Sequence, residues 1–254
     1  MAFASNRTGS YDVWVMPASG DEPRRLTDWT SNEGRPRWSP DGMHIAFVSD
    51  HDATQQDVWV VAAEGGMTRR VTTFNREVAG LPEWSPDGTS LYVYTSTERG
   101  AELYRVPVAG GRAQALQIPL TTGSGVGGGS LSPDGAWYAY SAVEGGWAFI
   151  ELSPSDGGAT RRITHRKERV WQPYGIWSPD GSRLSVPDWQ FGDASASNLV
   201  ELAVNDTTTR LLRSSPGTFH SPELYTPDGR VVFAAQRSDG RIVRVSVAGL
   251  LMGR

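Results

Sequence analysis

Four histidines, His44, His51, His165 and His220, are the side chains best suited to proton transfer or metal binding in this sequence. No two of them share the His-x-x-x-His type of spacing that places two ligands on one metal ion. His44 opens an alternating apolar segment and His51 falls in a polar turn, so both are expected to be solvated. His165 and His220 fall in connecting segments. A shared metal or a proton-abstracting role is open to that pair, and exposed loop positions are the ordinary outcome. Gly123-Ser124-Gly125-Val126-Gly127-Gly128 satisfies Gly-x-Gly-x-x-Gly. Nucleotide binding needs that pattern between a parallel strand and a helix N-terminus, and neither flanks it, so it reads as a loop. Asp50-His51-Asp52 and Ser238-Asp239-Gly240 begin like calcium loops but lack the spaced acidic ligands that calcium requires, and read as hairpin turns. A Gly-x-Ser-x-Gly nucleophile elbow opening a helix does not occur. With no cysteine, disulfides, thiolate metal sites and cysteine nucleophiles are excluded. No cofactor, no metal and no catalytic residue are expected of this chain.

The totals argue against polyanion recognition. Across 254 residues, 24 basic and 28 acidic side chains give a net charge of −4 without a dominant block of one sign. That argues against nucleic acid or an anionic membrane as partner. No apolar run reaches the ~18 residues of a membrane span, and no signal peptide opens the chain. Glycine (29), proline (16) and tryptophan (10) are plentiful, a composition of many turns and many strands.

One motif organises the elements. Ser39-Pro40-Asp41-Gly42 recurs as Ser85-Pro86-Asp87-Gly88, Ser132-Pro133-Asp134-Gly135 and Ser178-Pro179-Asp180-Gly181, with a fifth copy at Thr226-Pro227-Asp228-Gly229. Successive prolines at 40, 86, 133, 179 and 227 stand 46 to 48 residues apart, the period of a propeller blade. Proline presets φ at the first corner, aspartate bonds backbone two residues on, and glycine takes the positive φ that closes the hairpin. Trp38, Trp84 and Trp177 precede three copies, Leu131 and Tyr225 the others, and a large residue there is expected to pack between neighbouring blades. Each repeat continues with an alternating strand such as Ile45-Ala46-Phe47-Val48. Next come a strand such as Asp57-Val58-Trp59-Val60 and a last one such as Arg69-Arg70-Val71-Thr72. Four short antiparallel strands, A to D, make one blade. The arginine pairs read as charged edge residues that discourage pairing with other chains.

Met1-Ala2-Phe3-Ala4-Ser5 aligns with Ile45-Ala46-Phe47-Val48-Ser49, so the first repeat opens on strand B; Arg241 to Val245 reads as a final strand C. The expectation is an all-β, six-bladed β-propeller with incomplete first and last blades: 1–29, 30–76, 77–120, 121–167, 168–213 and 214–254. A piece of a longer polypeptide is the simplest account.

The repeat Trp-Ser-Pro-Asp-Gly, Ile-Ala-Phe-Val-Ser, Asp-Val-Trp-Val, Arg-Arg-Leu-Thr resembles the WD40-like repeat of TolB-type propellers. The resemblance spans the whole chain and is specific for fold. It implies a protein-binding propeller of the Tol–Pal envelope system, periplasmic or otherwise extracytoplasmic. Similar repeats also gate prolyl-oligopeptidase-type serine peptidases and occur in oligosaccharide lyases, which remain the alternatives. The connections from strand D to the next strand A vary while the scaffold repeats. They carry Asn32, Glu33 and Arg35, then Arg76 and Glu77, then His165 to Tyr174, then Phe219 and His220. Aromatic and arginine side chains on a rigid rim suit recognition. The expected site for a protein or peptide ligand is therefore the channel mouth, at Arg35, Glu77, Arg169, Trp171, Tyr174, Phe219 and His220.

Overall fold

The computed structural model describes residues 1–17, 19–52, 55–74, 76–78, 80–97, 100–116, 129–144, 147–163, 175–189, 197–206, 208–213, 218–225, 230–237 and 242–248. Every regular element among them is a β-strand. The fifth turn motif, the glycine-rich segment 123–128 and residues 164–174 lie outside the described residues. The chain divides into two units, Met1–Ile118 and Pro119–Arg254.

The first unit holds three antiparallel sheets in simple sequential order. The first is three-stranded: β1 (Ala2–Ser5), β2 (Asp12–Val15) and β3 (Arg24–Arg25). The second has β4 (Glu33–Trp38), β5 (His44–Ser49), β6 (Asp57–Ala62) and β7 (Arg69–Arg70). The third has β8 (Glu83–Trp84), β9 (Ser90–Thr97), β10 (Gly100–Pro107) and β11 (Gln114–Leu116). The second unit repeats the plan. Its sheets are β12 (Gly129–Leu131), β13 (Trp137–Glu144), β14 (Trp147–Pro154), β15 (Arg161–Arg162); β16 (Ile176–Trp177), β17 (Arg183–Trp189), β18 (Ser197–Ala203), β19 (Thr209–Arg213); and the three-stranded β20 (Thr218–Tyr225), β21 (Val231–Arg237), β22 (Ile242–Ala248).

Alternation along β5 explains how the sheets stack. Successive strand residues point to opposite faces. Ile45 and Phe47 pack with Val13, Val15, Trp59 and Val61, towards the first sheet. Ala46 and Val48 pack with Val58, Val60, Leu91 and Val93, towards the third. Leu152, Ile163, Leu184 and Leu202 build the same kind of layer in the second unit.

The Ser-Pro-Asp-Gly turns repeat atom for atom. The hydroxyls of Ser39, Ser85, Ser132 and Ser178 donate to Oδ1 of Asp41, Asp87, Asp134 and Asp180 at 2.5 to 2.6 Å. The same oxygens accept the backbone N–H of Met43, Thr89, Ala136 and Ser182. Each serine Oγ also accepts the N–H that opens the next strand, from His44, Ser90, Trp137 and Arg183. The glycines stand at φ of 68° to 73°, where a Cβ is disfavoured. The serines are buried and carry as much of the turn as the aspartates. These bonds favour the carboxylate form. They hold Asp87 and Asp180 down at about 2, the serine hydroxyl being the largest cause.

The arginine pairs do more than guard an edge. The second arginine holds a buried carboxylate on its neighbouring strand: Arg25 to Asp12 at 2.8 Å, Arg70 to Asp57 and Arg162 to Glu151 at 2.9 Å; the single Arg210 holds Glu201 in the same way. Thr72 completes the arrangement, donating to Asp57 at 2.6 Å and accepting the Val58 N–H at 2.8 Å. The first arginine reaches the following sheet. Arg24 donates to the carbonyls of Ala63 and Glu64, and Arg161 to that of Val204.

The motif tryptophans differ in role. Trp84 Nε1 donates to the Arg37 carbonyl at 3.1 Å and Trp177 Nε1 to that of Ser130 at 3.0 Å, each on the first strand of the preceding sheet. Trp38 is 40% exposed. Among the described strands none precedes β1, the counterpart of β5, in the first sheet, and Trp38 departs from the expected packing between blades. Trp84→Phe should therefore cost about 1–2 kcal/mol, the worth of a hydrogen bond whose carbonyl partner is stranded. Trp38→Phe should change stability by less than half of that in urea titrations.

The turn aspartates also set an acid limit. A carboxylate held at about 2 in the fold, against an ordinary value of 3.8, stabilises the protein above about pH 4, and that contribution disappears as pH falls through about 2. The double variant Asp87→Asn, Asp180→Asn should melt below the unsubstituted protein at pH 7. The gap between the two melting temperatures should close between pH 4 and pH 2.

Candidate functional site

In a sequential four-stranded sheet the A–B and C–D turns lie at one end. The B–C hairpins and the D-to-A connections lie at the other. In the first unit that second end is built by residues 5–12 and 27–35 and by the described residues of 49–57 and 72–80.

Trp29, on the connection between β3 and β4, is clamped here. Its ring stacks on His51 with centroids 3.8 Å apart and planes 8° apart, and meets the edge of Trp59 at 4.9 Å. The expectation of a freely solvated His51 therefore fails. Its imidazole is half-buried on an indole, with Nε2 3.4 Å from Asp52. Phe74 on Tyr104, centroids 4.6 Å apart, repeats the pairing one sheet on.

Beyond Trp29 the chain turns into β4, and Asn32, Glu33 and Arg35 gather. Asn32 Oδ1 accepts the Tyr11 N–H at 3.3 Å, and the Asn32 N–H donates to Asp50 at 3.1 Å. The Glu33 N–H donates to the Tyr11 carbonyl at 2.7 Å. The Glu33 side chain is wholly buried. Its Oε1 accepts the hydroxyls of Ser31 at 2.7 Å and Ser49 at 2.8 Å, while Oε2 accepts no hydrogen bond from a described residue. A cleft of about 180 Å³ opens beside these residues, lined by Ala4, Tyr11, Asn32, Glu33, Arg35 and Gln56 with the neighbouring Gly34 and Val48.

Arg35 lies within strand β4 and not on a free loop. Pairing of β4 with β5 slips between Gly34 and Arg37, and at this bulge Arg35 takes a left-handed backbone, φ 55°. Its Nη1 donates to the carbonyls of Val78 at 2.6 Å and Gly80 at 3.2 Å. That brings it to the segment carrying Glu77, which is exposed. Arg76 pairs with Glu102 at 2.7 Å, and the Tyr104 hydroxyl donates to the same oxygen at 2.6 Å. The tyrosine hydroxyl and the guanidinium hold the Glu102 carboxyl below its usual range.

In the second unit Phe219 and His220 belong to β20, paired with Gln236 and Ala235, and not to a connecting loop. Arg169, Trp171, Tyr174 and His165 lie outside the described residues. Tyr11 and Gln56 are lining residues that spacing alone did not single out; their place on B–C hairpins, at the same end as the D-to-A connections, was the available signal. Among the described residues no group of three or more His, Asp or Glu side chains is placed to hold a metal ion. No helix among them is long and apolar enough to cross a membrane.

Residues 8–129 match the family described as the Tricorn protease N-terminal β-propeller domain. An uncharacterized protein of Agrobacterium fabrum is 32% identical over 187 residues, 71% of this chain and 59% of that protein. An uncharacterized peptidase of Bacillus subtilis is 32% identical over 97 residues, 36% of this chain and 14% of its own length. The Tol-Pal system protein TolB of Alcanivorax borkumensis is 33% identical over 95 residues, 37% of this chain and 22% of that protein. The chain thus spans less than two thirds of each of these relatives. Among solved structures, TolB of Acinetobacter baumannii superposes with a TM-score of 0.73 at 20% identity, covering 98% of this chain and 63% of that one. An oligogalacturonate lyase in complex with manganese reaches 0.71 at 17% identity, covering 94% of this chain and 68% of that one.

The geometry at Arg35 gives it a measurable part in the scaffold. A non-glycine residue in the left-handed region costs about 1 kcal/mol, and here two carbonyl bonds hold it there. Arg35→Ala should lower stability by about 1–3 kcal/mol, and Arg35→Gly should be less destabilising than Arg35→Ala because it removes the backbone strain. Chemical denaturation of both variants checks the order; equal losses would mean that the bulge carries no strain.

Proposed function

We propose that this chain, a β-propeller of the TolB type, is a non-catalytic domain that binds a protein or peptide at the end carrying its D-to-A connections. The six sheets are its blades, the first and last one strand short. The observation that carries the reading is the end of the first unit, where an aromatic ring, a buried carboxylate and an amide line one cleft on an otherwise repeated scaffold. Arg35, Glu77, Arg169, Trp171, Tyr174, Phe219 and His220 are the proposed contact residues of the two units. Arg35 and Glu77 shape the surface around the cleft, and the aromatic and arginine side chains of 169–174 supply anchors of the kind that dominate binding energies. The setting is periplasmic or otherwise extracytoplasmic, after the TolB likeness, and the partner is neither nucleic acid nor membrane.

A second reading rests on the match to a protease propeller and to a Bacillus peptidase: a substrate gate of a prolyl-oligopeptidase-type serine peptidase. The two differ in what the purified chain does. Peptides selected on it by display should bind, and Arg169→Ala or Trp171→Ala should weaken them at least about tenfold, about 1.4 kcal/mol, with little change in melting temperature. Model peptides and esters should not be turned over. Unchanged affinity in both variants would remove this site; turnover abolished by one serine substitution would remove the non-catalytic reading.

A further inference from the structure

The cleft beside Glu33 has a chemistry of its own. Nothing in the repeat requires a carboxylate there. Glu33 pairs with Ser49 across β4 and β5, and the corresponding bridge in the next sheet joins Val78 to Thr95. An apolar residue therefore fills the equivalent place in the same scaffold. Burying a charged side chain is costly unless its oxygens are satisfied. At Glu33 only one oxygen is. Ser31 and Ser49 both donate to Oε1. Oε2 is buried and accepts nothing from the described residues. The cation nearest in sequence, Arg35, also lines the cleft, but spends Nη1 on the carbonyls of Val78 and Gly80. Asp50 nearby is held by the Asn32 N–H and adds negative charge. Tyr11, 48% exposed, offers a ring to a cation entering the cleft.

We propose that this cleft is a subsite for one cationic group of a bound polypeptide, a lysine side chain or a free N-terminus, whose ammonium takes up the unpartnered Glu33 Oε2 once the buried carboxylate turns towards it, while Tyr11 covers its stem. A cleft of about 180 Å³ holds an ammonium and its last methylenes and little more. The ammonium satisfies the stranded oxygen and neutralises the buried charge in one step, whereas a neutral donor does only the first.

This inference deepens the peptide-binding reading, and its test is kept separate from it. The probes are acetyl-Gly-Lys-Gly-amide and its norleucine analogue, which keeps the stem and lacks the charge. They are titrated into the ¹⁵N-labelled chain, with backbone amide shifts as readout. The lysine peptide should shift Tyr11 and residues 32–35, and the norleucine peptide should bind at least about tenfold more weakly. Glu33→Gln keeps the oxygen that accepts from Ser31 and Ser49 and removes the charge. It should lose at least about tenfold in affinity for the lysine peptide while its melting temperature and the rest of its spectrum stay those of the parent. Equal binding of the two peptides, unchanged affinity in Glu33→Gln, or shifts confined to other residues would overturn the subsite. Peptides from the display selection that bind equally well to Glu33→Gln would leave the binding-face reading standing without it. Loss of display binding in Arg169→Ala alone would leave the lysine response intact.

Discussion

Ile45 and Phe47 face one neighbouring sheet, Ala46 and Val48 face the other, and all four are buried. A sheet that is apolar on both faces cannot meet water on either. Each such sheet therefore requires a neighbour on each side, and each neighbour of the same sequence type carries the requirement onward. The rest of the arrangement serves that stacking. Large side chains on one face of β5 meet valines of the first sheet, while the smaller Ala46 and Val48 let the third approach. The polar elements are pushed to the strand ends, where turns and connections meet solvent.

Stacking by apolar contact alone is not directional, and the polar groups supply the register. In the first unit Arg24 ties the first sheet to the carbonyls of Ala63 and Glu64, and Trp84 ties the third to Arg37. In the second, Arg161 and Trp177 make the equivalent ties to Val204 and Ser130. The two tryptophan contacts span 47 residues, one repeat length, and the arginine contacts 39 to 43. The motif's period is thus also the period of its tryptophan hydrogen bonds. Within the first, second and fourth sheets a buried carboxylate meets the second arginine, and at Asp57 a threonine closes the set. Removing one member of such a buried pair would cost far more than its net contribution, because the other charge stays behind unpaired. This accounts for the co-occurrence of acid, arginine and threonine in the repeat.

Against so regular a frame, departures from the repeat stand out. Glu33 stands where the neighbouring sheet has Val78, and Arg35 sits in a left-handed bulge. Both occur where variation leaves the stacking undisturbed, at the end of the sheet bearing the hairpins and D-to-A connections. A propeller is well suited to this division, since its core positions are set by stacking and its end positions are left to the ligand.

The strand order, the turn chemistry and the period were legible without coordinates, because each depends on local backbone preference: proline, aspartate and glycine close the same hairpin wherever they occur, and alternation marks a strand. The glycines at φ of 68° to 73° and the aspartate bonds two residues on follow from that alone. What lay beyond the sequence was decided by approach between repeats. Arg35 read as a rim residue, and the carbonyls of Val78 and Gly80 that its Nη1 meets come within reach only when the next sheet docks. His51 read as solvated until Trp29, 22 positions earlier, was laid on its ring. Trp38 carried the same signature as Trp84, and only its surroundings made it exposed. The buried, half-satisfied carboxylate of Glu33 was one polar letter in a loop, because burial and the number of donors around an oxygen belong to the packed structure and not to the residue.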